Sequence, residues 1–139
     1  MSFVAFVLVA QATPAPGEVV PLTFAGTTLR AHVADQPEER SRGLMGVTEL
    51  APDEGMIFVY PAPRELTFWM KDTPSPLSIA YVGADGRVVS ISDMQPFDTT
   101  LILSRGAALY AVEANQGWFA AHQIEVGALV GGLPGPAKK

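Results

Sequence analysis

Between residues 68 and 76 the chain reads "FWMKDTPSP", which sets an indole, an ammonium, a carboxylate and a hydroxyl in close succession at Trp69, Lys71, Asp72 and Thr73. In an extended chain, alternate side chains share a face. Phe68 and Met70 then face one way, where an aromatic ring and a sulfur can pack into a core. Trp69 and Lys71 face the other, and a flat ring beside a cation suits a polar or anionic ligand. Pro74 and Pro76 fix the backbone that follows and remove two N–H donors, so the loop is extended and rigid. Such a strand end can form the mouth of a pocket. The same residues also fit a plainer account, with Trp69 in the core and Lys71 and Asp72 in solvent.

Two further segments carry chemistry. In "RSRGLMG", Arg42 stands beside a turn whose Leu44 and Met45 suit core packing. In "YAVEANQGW", alternation puts Tyr110 and Val112 on one face, and Ala111 and Glu113 on the other. A glutamate among small apolar neighbours is costly to bury unless it is paired. Glu113 is thus a candidate partner for Arg42 or Lys71, or a general acid with a raised pKa. A hydrolase of the glycoside type needs a second carboxyl about 5–10 Å away, and Asp72 and Asp93 are the candidates.

Much other chemistry is excluded. There is no cysteine, so thiolate catalysis, disulfides and Cys-ligated metals are out. The two histidines, His32 and His122, cannot build a three-histidine zinc site. No nucleophile elbow, P-loop or dinucleotide fingerprint occurs, and Asp85-Gly86 lacks the alternating oxygen ligands of a calcium loop. No metal, no cofactor and no recognisable catalytic set is expected. The formal charge is -5, with nine Lys and Arg scattered singly apart from Lys138-Lys139. Nucleic acid, which demands a basic footprint, is not an expected partner.

The elements that must hold these residues read as strands. Hydrophobic residues make up 48% and charged residues 17% of 139 positions, which is a globular composition with a sizeable core. Thirteen glycines and twelve prolines suit short strands and turns better than long helices. "VVPLTF" and "TTLRAHVA" flank Gly26, the second with Leu29, Ala31 and Val33 on one face. "GMIFVYP" and "ELTFWM" read as two strands, the first with Met56, Phe58 and Tyr60 on one face. "LSIAYV" and "RVVSIS" flank a hairpin signal at Asp85-Gly86. "TLILSRGAALYAVEA" supplies one or two more strands, and "EVGALV" a closing one. Asp35, Pro37 and Gly46 bracket a short helix, supported by Glu38 and Arg42 at i,i+4; "NQGWFAAHQI" suits a second. The fold class predicted is mainly β: a single-domain β-sandwich or compact barrel of about seven to nine strands with one or two short helices.

Phe3 to Ala10 is an apolar run followed by Ala10-Gln11-Ala12, which has the small-x-small form of a signal-peptidase site. A basic n-region is missing. The run is also far shorter than the ~20 residues of a transmembrane helix, so no transmembrane span is expected. Residues 1–18 are therefore an export-signal remnant, or an N-terminal strand plus linker. Residues 19–133 form the β-rich domain and 134–139 a flexible tail. The matching location is periplasmic or extracellular.

Together, "RSRGLMG", "EGMIFVYP", "FWMKDTPSPLSIAYVGADGRVV" and "YAVEANQGW…IEVGALV" resemble, in order and spacing, the domain-of-unknown-function family 192. Its members are small bacterial and archaeal proteins, often exported. The resemblance covers about residues 19–130. It implies a mainly β, sandwich-like fold and no established activity. It also marks Arg42, Trp69, Lys71, Thr73, Glu113 and Asn115 as the shared polar positions. The chain departs from the family pattern at Asp72, where Asn is usual, and at Ser78 and Ala128, where Asp is usual. The loss of a carboxylate at 78 weakens a paired-carboxylate mechanism.

The reading that follows is a non-catalytic, exported binding or interaction module. Its site is Arg42, Trp69, Lys71, Asp72, Thr73, Glu113 and Asn115. Its partner is a small polar or anionic ligand, or a segment of an envelope protein. Two alternatives stand behind it: a scaffold whose signature residues are buried and mutually paired, with function in an exposed edge strand, and a hydrolase built on Glu113.

Overall fold

A computed structural model of the chain describes residues 17–139. The apolar run Phe3–Ala10 and the Ala10-Gln11-Ala12 site lie outside the described residues. Seven strands form one sheet: β1 (Val19–Phe24), β2 (Thr27–Ala34), β3 (Glu54–Phe68), β4 (Leu77–Val82), β5 (Val88–Met94), β6 (Ile102–Asn115) and β7 (Val130–Gly131). Their order across the sheet is β5-β4-β6-β3-β2-β1-β7. Two short helices, α1 (Pro37–Arg42) and α2 (Trp118–Ala121), complete it. The mainly β class is thus as expected, with one sheet curled into a half-barrel rather than two stacked sheets. The curl brings the outer edges together at one point. There Val88 N donates to Ala128 O (2.9 Å), Gly127 N donates to Val88 O (2.8 Å), and Arg87 bridges Leu129.

Period-two alternation divides the apolar residues between the two faces of this sheet. The inner face collects Leu22, Phe24, Leu29, Ala31, Val33, Ile57, Val59 and Val112, with Trp118 and Phe119 of α2 closing one end. Phe24, Trp118 and Phe119 meet edge to face there, at 5.3–5.7 Å between ring centres, which is the arrangement aromatic quadrupoles favour. The outer face carries Met56, Phe58, Ile79, Tyr81 and Ala111.

All pairings are antiparallel except β2 with β3. A parallel pair cannot be joined by a tight turn and needs a crossover. Residues 35–53, which include α1, make that crossover. It lies over the outer face, where Leu44, Val47 and Leu50 bury against Phe58 and Met70. The functional consequence is that Arg40 to Met45 are held above the middle of the sheet.

Several elements differ from expectation in detail. "GMIFVYP" and "ELTFWM" are one bent strand, β3, not two. Its pairing with β6 jumps from Val59↔Tyr110 to Arg64↔Ala108, because Pro61 and Pro63 have no N–H to offer the ladder. Helix α1 starts from Gln36 rather than Asp35, since Glu39 Oε1 accepts the Gln36 N–H at 3.2 Å. No Glu38–Arg42 ion pair forms among the described residues; the one ion pair there is His32–Glu54, at 2.6 Å. The closing strand β7 keeps only two residues. The terminal segment 134–139, expected as a tail, lies along β3: Ala137 N donates to Tyr60 O (3.1 Å), and Lys139 O accepts from Arg40.

Candidate functional site

Strand β6 is the centre of the site. Glu113 sits between Met56 of β3 and Ile79 of β4, the residues opposite it on either side. Side chains of directly paired residues share a face, so Glu113 rises from the outer face between two apolar neighbours. The crossover passes overhead, and the strand end Thr67–Lys71 walls one flank. Backbone hydrogen bonds lock these pieces together. Gly46 N donates to Asp72 O (2.9 Å), Phe97 N to Thr73 O (3.1 Å), and Met70 N to Asp98 O (2.7 Å). Ser75 Oγ donates to Val47 O (2.8 Å).

The space so enclosed is a cavity of about 190 Å³ whose polar lining includes Arg40, Arg42, Lys71, Thr73, Tyr60 and Glu113. That is somewhat more than the ~150 Å³ known to admit a benzene ring, so it fits a small molecule or one end of a larger one. Glu113 is only 4% exposed, and among the described residues no Lys or Arg nitrogen comes within 4.0 Å of its carboxyl. Burial alone pushes its pKa up, to about 8, because a charged carboxylate loses its hydration there. The shift favours the neutral form near pH 7, which carries a proton it can donate. The phenol of Tyr60 is also pushed up by burial, against the opposing pull of Arg40 and Arg64.

The cations on the rim differ in kind. Arg40 is occupied: its Nη1 donates to Asp35 O (2.9 Å) and Val59 O (3.0 Å), and its Nη2 to Lys139 O (3.0 Å). Its guanidinium also stands 5.0 Å from the centre of the Tyr60 ring. Arg42 and Lys71 are exposed and form no side-chain hydrogen bond or ion pair among the described residues. Lys71 instead holds Nζ 5.7 Å from the centre of the Trp69 ring, a cation–π distance.

Of the residues singled out in the sequence, Arg42, Trp69, Lys71, Thr73 and Glu113 line one cavity. Asp72 and Asn115 do not. Asp72 is exposed and turns the loop in the left-handed region, with φ 56°, where Asn and Asp are the tolerated non-glycine residues. Asn115 Nδ2 donates to the carbonyls of Leu50 (3.2 Å) and Ala51 (3.0 Å), pinning the crossover to β6. The expected pairing of Glu113 with Arg42 or Lys71 is absent, because the apolar flank of Met56 and Ile79 keeps Glu113 low while both cations extend into solvent. Asp93, the other carboxylate considered, accepts the Ser78 hydroxyl at 2.7 Å and lies outside the lining. Among the described residues, the cavity therefore holds one carboxyl.

Arg40, Tyr60, Phe58 and Phe68 also belong to the lining and were not anticipated as such. Basic residues in the last turn of a helix are ordinary, so nothing in the sequence singled out Arg40. Tyr60 closes an apolar alternation just before two prolines, and its polar tip was the available signal.

The family model for DUF192, described as uncharacterised ACR, matches residues 20–132. The chain belongs to that family. A protein of unknown function from Novosphingobium aromaticivorans is 37% identical, with a TM-score of 0.80 over 86% of this chain and 90% of its own. A proposed transcription regulator from Sinorhizobium meliloti is 29% identical, with a TM-score of 0.78 over 88% of this chain and 98% of its own. No curated protein matches the chain significantly.

Proposed function

We propose that this protein is a non-catalytic binding module that receives a small anionic ligand in the cavity above Glu113. Arg42 and Lys71 attract the anion, Trp69 gives it a flat wall, and the protonated Glu113 carboxyl donates a hydrogen bond to it from below. The observation that carries this reading is a buried carboxyl, 4% exposed, that lines a cavity rimmed by cations yet pairs with none of them. A charged carboxylate in that position would repel an anion. One held neutral by burial does not.

The competing readings find less support. A scaffold role required Arg42, Lys71 and Glu113 to be buried and mutually paired; the two cations are exposed and unpaired among the described residues. A two-carboxylate hydrolase lacks its second carboxyl in the cavity. A nucleic-acid role finds little support in a chain of net charge -5 whose nine Lys and Arg are scattered singly apart from Lys138-Lys139. No helix among the described residues is long and apolar enough to cross a membrane. Export is proposed on the sequence of residues 3–12, and fractionation of the native host would test it.

The test of binding is a thermal-shift panel of phosphate, sulfate, acetate and neutral sugars. A ligand of the native state raises the melting temperature with its concentration. A shift with anions that is lost in Arg42→Ala and Lys71→Ala is expected. A flat panel on folded protein would overturn the proposal.

A further inference from the structure

The charged cavity does not end at Trp69. Thr67, Phe68 and Trp69 also line a second hollow of about 180 Å³, together with Leu101. Leu101 in turn lines a third, of about 260 Å³, with Ser92, Ile102, Leu103 and Arg105. The three hollows share wall residues in sequence, so they neighbour one another as a trough. It is richest in polar groups at the Glu113 end and mostly apolar, apart from Ser92 and Arg105, at the Leu101 end. The apolar end is built from exposed side chains: Trp69 is 44%, Leu101 54% and Leu103 42% exposed. Leaving large apolar groups together at the surface is unfavourable, and contiguous patches of this kind mark binding sites.

Resting on the binding reading above, we infer that the ligand is a free single-chain amphiphile, with an anionic head in the cavity and an unbranched apolar tail along the Trp69–Leu101 trough. Charge weights the two ends unequally, since Arg40, Arg42, Lys71 and Glu113 line one and Arg105 is the single charged residue lining the other. The backbone decides between an alkyl tail and a peptide. A peptide lying in the trough needs hydrogen bonds for its own N–H and C=O groups. Here β6 is already paired with β3, Leu103 opposite Thr67 and Ile102 opposite Phe68. The carbonyls of Ile102 and Ser104 already accept the hydroxyls of Tyr81 and Ser90, both at 2.6 Å. A hydrocarbon asks for none of these bonds.

Calorimetric titration with straight-chain alkanoates from acetate to octanoate tests this. Affinity should rise about two- to fourfold per methylene, the gain expected for moving a CH₂ largely out of water. Leu101→Ser, at an exposed position, should flatten the series and leave acetate unaffected; Lys71→Ala should weaken every member alike. Equal affinity for acetate and octanoate would overturn the tail while leaving the anion site standing. No binding by any alkanoate would overturn both. A peptide with a C-terminal leucine that binds more tightly than octanoate, or binding only to anionic vesicles and not to monomeric octanoate, would also overturn the inference.

Discussion

Lys71 Nζ stands 5.7 Å from the centre of the Trp69 ring, and this pair forms one wall of the cavity over Glu113 without joining the core. Trp69 is 44% exposed, whereas Phe58, which lines the same cavity, is 1% exposed and meets Phe68 edge to face at 4.8 Å. The two aromatic residues should therefore respond differently to truncation. Trp69→Ala with Lys71→Ala should shift stability by about 1 kcal/mol or less, as surface changes do. Phe58→Ala should cost roughly 3–5 kcal/mol through lost burial and a new cavity. Chemical denaturation of the three proteins measures both.

Glu113 makes stability depend on pH. Its folded pKa, about 8, lies above the 4.5 of an ordinary glutamate. Between those values the unfolded chain releases a proton that the folded chain keeps, so stability falls as pH rises. The contribution is full below pH 4.5, declines from there to about pH 8, and is flat above. Glu113→Gln, which keeps the shape and the donor, removes the decline. Its advantage over the native protein should grow across that window to a few kcal/mol, on the order expected for such a displacement. Denaturation midpoints at several pH values would show it, and parallel curves for the two proteins would contradict it.

Asn115 and Asp72 should prove architectural. Asn115→Ala removes the two hydrogen bonds that tie the crossover to β6 and should cost about 1 kcal/mol, since water can meet the part-exposed carbonyls it leaves. Asp72→Asn should be close to neutral, because Asn tolerates φ 56° at least as well. Both variants should bind anions as the native protein does. Loss of binding in either, with the fold intact, would place that residue in the site after all.

Gly55 is the tightest contact under the site. A methyl group there would lie 2.2 Å from the Glu113 carbonyl oxygen and 3.0 Å from Leu29 Cδ2. Backbone cannot yield at so short a distance, so Gly55→Ala should push β3 from β6 and cost at least 1–3 kcal/mol. Gly26→Ala has open space but a φ of 87°; it provides a comparison in which strain acts without collision. Melting temperatures should rank the native protein first, Gly26→Ala second and Gly55→Ala last.

Alternation along single strands was fully legible. The face carrying Met56, Phe58 and Tyr60, and the opposition of Tyr110 and Val112 to Ala111 and Glu113, both emerge as expected. Contacts between distant segments were not. Nothing local in "RSRGLMG" says that it will cross over a β-sheet. That follows from the parallel pairing of β2 with β3, a long-range choice made by the whole core. For the same reason, Glu113 could be read as costly to bury, yet whether a cation would descend to meet it depended on the height of a crossover loop. The merging of two expected strands into β3 has a simpler cause: Pro61 and Pro63 bend the strand and interrupt its ladder without ending it.

Whether the cavity over Glu113 takes an anion is read most simply by a magnetic-resonance titration with acetate. The Trp69 indole N–H, the amides of Gly43 and Thr73, and the Glu113 carboxyl carbon should move together along one saturable curve, and stay still in Lys71→Ala. Shifts scattered over other surfaces, or none at all up to high acetate concentration, would contradict the account.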